Sequence, residues 1–381
     1  MKIAGDWIAN ADTQRLLQVM DGAGHRALFV GGCVRNAVLG IAVNDIDIAT
    51  TALPKTVTNL AKNAGFRVIP TGIAHGTVTV TTESISHEVT TFRRDIETDG
   101  RHATVAFSTS IHQDAARRDF TMNALYADAA GYVIDPLGGL PDVLSRRVRF
   151  VGDPSTRIRE DYLRILRFFR FYAVYGEPNL GIDAEGLAAC AANADRISGL
   201  SPSRIGGEMR KLLAAADPTL SVSSMAQAGV LARILPGADP AGLGPLVHFE
   251  AGLPPPRWQR RLAVIGGQNI VKNLCLTRGE TVSVGHVRDE IGSGLTAAAL
   301  GWRLGCVNAQ DVILCRAALL QIPLLPDWQQ QIDRGARAIM PVMAADLMPG
   351  LTGPALGRKL RQIEQCWLES DLTLSHDQLL A

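Results

Sequence analysis

At 381 residues and 47% hydrophobic content, the chain can fill the cores of two or three domains. Apolar stretches such as 312–325 are interrupted by Arg316 and by proline, short of the ~18–20 residues a membrane span needs, and Asp6 and Asp12 break up any N-terminal export signal. The net charge of +1 decides nothing about nucleic acid, while six cysteines without a Cys-x-x-Cys spacing argue against a disulfide framework or zinc site and fit a reducing cytoplasm.

In chain order, residues 27–30 read as an apolar strand running through Gly31-Gly32 into a helix. Residues 45–48 alternate Asp and Ile, as a strand with one polar face does. The β-branched runs 76–82 and 87–92 are strands, and 105–107 and 132–134 are shorter candidates. Between them, 94–102 is polar and glycine-bearing and is expected to be a mobile loop. From residue 153 helical periodicity dominates. Residues 159–171 read as one amphipathic helix, and another begins at Ser201-Pro202. The Gly/Pro-rich stretch 236–256 reads as a linker or long loop. The fold class is therefore α+β, with an α/β head over 1–150, a first helical segment over 151–215 and a second over 216–381.

Two features of the head carry chemistry. Glycines at a strand-to-helix turn let backbone N–H groups approach a phosphate chain, and the helix N-terminus adds partial positive charge. Arg35 falls in the first turn of that helix. Thirteen residues after Gly32, Asp45 and Asp47 stand at i and i+2 of a strand, so both carboxylates share one face. Like charges so placed repel unless a cation lies between them, and Mg2+ favours carboxylate oxygens while leaving sites for substrate phosphate.

Farther on, Arg117-Arg118-Asp119 can set one guanidinium by salt bridge while the other meets an anion. On a continuous helix, Asp161, Arg164, Arg167 and Arg170 would rise three residues at a time as a single polar ridge, with Ile165, Phe169 and Tyr172 as the apolar stripe. Of the 38 basic residues 32 are arginine, which suits phosphate and base-edge contacts, although a GC-rich genome gives the same bias.

Together, Gly31-Gly32-x-Val34-Arg35, Asp45-x-Asp47, the segment Arg117-Arg118-Asp119-Phe120-Thr121-Met122-Asn123-Ala124 and Arg159-Glu160-Asp161-Tyr162-Leu163-Arg164 resemble the class II tRNA nucleotidyltransferase and bacterial poly(A) polymerase family. The resemblance implies a polymerase-β-like nucleotidyltransferase head followed by an all-α neck, body and tail. It also implies Asp45 and Asp47 as metal ligands for Mg2+, with Glu88 as a third catalytic carboxylate. Gly32, Arg35 and Arg118 would hold the triphosphate, Asp161 and Arg164 would read the base, and Arg167 and Arg170 would lie near base or phosphates. The 94–102 stretch resembles the family's flexible loop, the Asp135–Asp142 segment a turn closing the head, and the glycines and basic residues of 350–359 a tRNA-contacting tail. The chain departs from the pattern at Asn36, where the family carries Asp.

The implied activity is template-independent addition of C, C and A from CTP and ATP to the tRNA 3′ end, with no membrane and no obligate protein partner. A poly(A) polymerase of the same family is the alternative. A metal-dependent glycosyltransferase shares the Asp-x-Asp but leaves the arginine segments unexplained, and an inert RNA-binding module leaves the carboxylate pair unexplained.

Overall fold

The computed structural model describes residues 1–82, 85–99 and 102–381, with the side chains of 74, 95–99 and 102–105 outside that description. Two compact units emerge, Met1–Leu200 with Ala228–Val230, and Ser201–Gln227 with Leu231–Ala381. The helices expected to form a separate neck after residue 150 pack with the head as far as Leu200. An aromatic cluster explains this: Phe120 and Phe150 stack against Phe168 and Phe171, with ring centroids 4.8–6.3 Å apart.

The first unit is built on a seven-stranded sheet in the order β3-β4-β5-β2-β1-β8-β9. Its strands are β1 (Ala27–Val30), β2 (Ile46–Thr50), β3 (Arg67–Gly72), β4 (Thr77–Thr81), β5 (Ser86–Thr91), β8 (Tyr126–Ala127) and β9 (Val133–Ile134). Only the β2–β5 pair is parallel; the other pairings in this sheet are antiparallel. Alternation sets the faces. Phe29, Ile46, Ile48, Val78, Val80 and Val89 are buried, and helices α1 (Ala11–Gly22) and α2 (Pro54–Asn63) pack on the sheet. Asn10 caps α1 by accepting from the N–H groups of Asp12 and Thr13, both at 3.0 Å.

The loop expected over 94–102 is instead the flank of a two-stranded ribbon, in which β6 (Arg93–Asp99) pairs antiparallel with β7 (His102–Phe107). The β-branched residues Ile96, Thr98, Thr104 and Val105 favour extended backbone, which the reading of polarity alone overlooked. Gly100 and Arg101 lie outside the described residues.

The second unit is helical. Its Gly/Pro-rich stretch is no linker: a helix, Leu243–Phe249, forms inside it, and Glu250 at its end is buried. The Glu250 carboxylate accepts from Arg260 Nε at 2.7 Å and Arg261 Nε at 2.9 Å. Arg260 also meets Asp311 at 3.1 Å, while Arg261 caps the helix Pro202–Leu213 by donating to the carbonyls of Leu213, Ala215 and Ala216. Both guanidiniums are at most 2% exposed, so removing one carboxylate strands a buried cation. We expect Glu250→Ala to cost about 3–5 kcal/mol of stability, read by urea unfolding; a loss below about 1 kcal/mol would show that the arginines re-pair without it.

Candidate active site

The site begins at the end of β1. Gly31 adopts φ 71°, ψ −119°, a region that favours glycine, and turns the chain into helix α3 (Gly32–Leu39). Its N–H donates to the Leu125 carbonyl at 2.9 Å. A side chain there would also crowd Arg118, whose Nη1 lies 3.3 Å from the position a Cβ would take. Because β1 and β2 run antiparallel, this turn lies beside the start of β2, where the aspartates are. Cys33, buried behind the turn, donates its thiol to the carbonyls of Val30 at 3.4 Å and Asp47 at 3.7 Å, tying the two strand ends together.

Asp45 precedes β2 and is exposed, while Asp47 lies on it between the buried Ile46 and Ile48. The parallel pairing sets Asp47 directly across from Glu88 on β5. Partial burial, then the Glu88 and Asp45 charges, push the Asp47 carboxyl up to about 6, against the opposing pull of Arg118. Negative charge is thus concentrated where a cation would relieve it, and the donors are hard oxygens of the kind Mg2+ takes. Among the described residues, no three His, Cys, Asp or Glu side chains form a ready metal-binding group. By charge and donor type, Asp45, Asp47 and Glu88 fit a divalent cation.

Arg118 reaches the same place from the following segment. Its Nη2 donates to Asp114 Oδ2 at 3.0 Å, its Nε to the Tyr126 hydroxyl at 3.3 Å, and its Nη1 to the Asn123 carbonyl at 3.5 Å. Burial works against its charge, and Tyr126 and Asp114 more than restore it. Arg117 also pairs with Asp114, at 2.7 Å. The salt bridge that holds this arginine pair comes from Asp114, three and four residues before it, and not from Asp119 as the Arg-Arg-Asp reading suggested. Asp119 instead accepts from Asn123 Nδ2 at 2.9 Å and Arg167 Nε at 2.7 Å. Burial alone would raise its carboxyl, but Arg167 and Asn123 bring it down to about 2.

Arg35, expected at the triphosphate, is 5% exposed and engaged elsewhere. It donates to Asn123 Oδ1, to Asn36 Oδ1 and, at 2.7 Å, to the Tyr175 hydroxyl, with its guanidinium 3.9 Å from the Tyr175 ring centroid. It braces the turn from behind. Asn36 accepts from Arg35 through its amide oxygen, as a carboxylate would, and also donates its Nδ2 to the Ala42 carbonyl at 3.1 Å, a contact open to the amide and not to a carboxylate.

The expected ridge is also modified. Two helices, α5 (Pro154–Glu160) and α6 (Leu163–Tyr175), meet at Asp161, which is extended (φ −155°, ψ 107°). Its carboxylate accepts from the Leu163 N–H at 3.1 Å and its carbonyl from the Arg164 N–H at 2.9 Å. Asp competes with the helix for its own backbone, which ends α5 and starts α6. Ile165, Phe169 and Tyr172 are buried as the stripe predicted. Arg164 donates to Glu160 and to the carbonyls of Arg157 and Arg117. The Phe171 ring gathers Arg35, Arg167 and Arg170, whose guanidiniums stand 4.6–5.3 Å from its centroid.

Sequence reasoning missed Asp114, Asn123, Tyr126 and Tyr175. Asp114 could have been found from its spacing of three and four to the arginines on a helix turn; the others come together only through the tertiary fold.

Residues 27–149 match the family described as "Poly A polymerase head domain", and 179–241 the one described as "Probable RNA and SrmB- binding site of polymerase A". A CCA-adding enzyme of Lacticaseibacillus paracasei is 32% identical over 92% of this chain and 90% of its own length. The human mitochondrial CCA tRNA nucleotidyltransferase 1 is 43% identical over 190 residues, 50% of this chain and 44% of the human protein; the chain spans about half the length of the first relatives it matches. The crystal structure of the Bacillus stearothermophilus CCA-adding enzyme in complex with CTP superposes with a TM-score of 0.70 at 27% identity, covering 94% of this chain and 92% of that one.

Asp47 gives a direct physical test of the site. Its carboxyl holds its proton more tightly folded (about 6) than unfolded (about 3.9), so the metal-free protein loses stability as pH rises through that window. Asp47→Asn removes the loss. With chelator present at pH 7.5 the variant should be about 1 kcal/mol more stable than wild type after allowing for solvent screening, and the gap should close at pH 4. Mg2+ should raise the melting temperature of wild type only. Equal melting temperatures at pH 7.5 would refute the crowding of negative charge at Asp47.

Proposed function

The chain belongs to the family of CCA-adding enzymes, and from that premise we propose that it adds C, C and A to the 3′ end of tRNA from CTP and ATP, releasing pyrophosphate. The observation that carries this reading is the register of Asp47 against Glu88 beside the Gly31 turn and Arg118. It sets anionic oxygens, a glycine turn and a fixed cation beside one strand end. The L. paracasei relative and the CTP-bound structure support it.

Asp45 and Asp47 would hold Mg2+, with Glu88 adding negative charge beside them. Bound there, the metal would lower the pKa of the attacking 3′ hydroxyl and neutralise charge on the triphosphate. The N–H groups after Gly31 and the Arg118 guanidinium bind the triphosphate and orient its α-phosphorus. Arg35 acts behind them by holding the turn.

Asp161 supplies the base selection. Its carboxylate accepts from the exocyclic amino group of cytosine or adenine, and an arginine such as Arg164 donates to a ring nitrogen or carbonyl. Uracil and guanine offer a carbonyl where the amino group is required, which leaves a charged acceptor unsatisfied. Arg167 and Arg170, gathered at Phe171, keep positive charge beside this region. The cysteines, all free, suit work in the cytoplasm; among the described residues no helix is long and apolar enough to cross a membrane.

The match to a poly(A) polymerase head favours one second reading, addition of A alone to RNA ends. Incubation with tRNA lacking CCA and each labelled nucleotide separately decides between them: C incorporation followed by a single A supports CCA addition, whereas long A tails without C overturn it.

Two substitutions test the assignments. Asp45→Ala should reduce incorporation of both nucleotides by at least about a hundredfold while leaving tRNA binding intact in a gel-shift assay; wild-type incorporation would remove Asp45 from the metal site. Asp161→Ala should lower discrimination against UTP and GTP by about tenfold or more, and unchanged discrimination would remove it from base reading.

A further inference from the structure

Asp114 is 1% exposed, lies on the short helix Ile111–Ala116, and gathers more donors than any group assigned a role above. Oδ2 accepts from Arg118 Nη2 at 3.0 Å and from the Tyr126 hydroxyl at 2.6 Å. Oδ1 accepts from Arg117 at 3.1 Å (Nε) and 2.7 Å (Nη2), and from the Arg93 N–H at 3.3 Å. One buried carboxylate thus meets the phosphate-facing arginine, its neighbour, a buried tyrosine and the first residue of the β6–β7 ribbon.

We propose that Asp114 is a positioning residue for the triphosphate, acting through Arg118, and that this inference rests on the nucleotidyl-transfer reading. The geometry supports it on three counts. Arg118 has several rotatable bonds and would lose its aim without a fixed anchor. Asp114 and Tyr126 hold its Nη2 and Nε edges, while Nη1, 3.5 Å from the Asn123 carbonyl, stands beside the Gly31 turn, where a phosphate chain would lie. Burial alone would raise the Asp114 carboxyl, but Arg118 and Arg117 bring it down to about 2, so it stays ionised throughout the working pH range. The contact to the Arg93 N–H extends the same anchor to the ribbon root, so ribbon and phosphate grip share one fixed point.

A positioning role through Arg118 predicts a kinetic pattern that a purely structural role does not. Asp114→Asn keeps the size but loses the charge and one acceptor. The KM for CTP and for ATP should rise together by about tenfold or more, while discrimination against UTP and GTP stays as in wild type. In an Arg118→Gln background the same substitution should add less than about twofold.

Tyr126→Phe removes the hydroxyl that orients both groups and should raise both KM values by about threefold; it carries the test if the Asn variant folds poorly. Unchanged KM values in both variants, or a full Asp114→Asn effect persisting without Arg118, would overturn the inference. If wild type incorporates neither C nor A, it is the reading of the reaction that fails; if wild type is active and the KM values do not move, only the role of Asp114 fails.

Discussion

Pairing buried guanidinium groups with buried carboxylates is the constraint on which this site depends. The proposed triphosphate site has to be positive, yet cations held partly dry lose solvation that only fixed acceptors replace. The chain meets this over three consecutive residues. Asp114 fixes Arg117 and Arg118 from one side, and α6 holds the segment from the other, with Arg164 on the Arg117 carbonyl and Arg167 on Asp119. Asn123 then bridges Asp119 and Arg35 with the two ends of one amide. Neither end of Asn123 can be reversed without breaking a contact, so the turn at Gly31 and helix α6 are fixed to the same frame.

Much of this was legible in sequence because it is local. The strand at 27–30, the alternation that buries Ile46 and Ile48 around Asp47, and the stripe of Ile165, Phe169 and Tyr172 follow from periodicity, and the structure reproduces each. The break in the helix at Asp161 was not legible, because a three-residue spacing looks the same whether or not a carboxylate has interrupted the helix to cap its own backbone. β3 and β8 escaped notice for other reasons. Pro70 disguises an edge strand, and β8 is two residues long, held as strand by its partners rather than its composition. The role of Arg35 could not be read at all, since Tyr175 lies 140 residues away and only folding brings it near.

The two units treat buried charge in the same way for different ends. In the helical unit, Glu250 and Asp311 hold Arg260 and Arg261 within a core, and Arg261 is turned onto the backbone carbonyls that close a helix. There the arginine is satisfied wholly by the protein. In the first unit, Arg118 is held firmly along two edges, with Nη1 kept toward the glycine turn.

The lone parallel pairing in the sheet has a kinetic consequence. β2 and β5 are 41 positions apart at the Asp47–Glu88 register, with β3 and β4 between them in the chain. Closing so long a segment delays that contact relative to the hairpins around it. By that argument the contact between these two acidic side chains follows the β3–β4 and β4–β5 hairpins, whose strands are neighbours in the chain. In the chain the Gly31 turn precedes Glu88, so the two parts of the proposed site are joined only once β5 is in place.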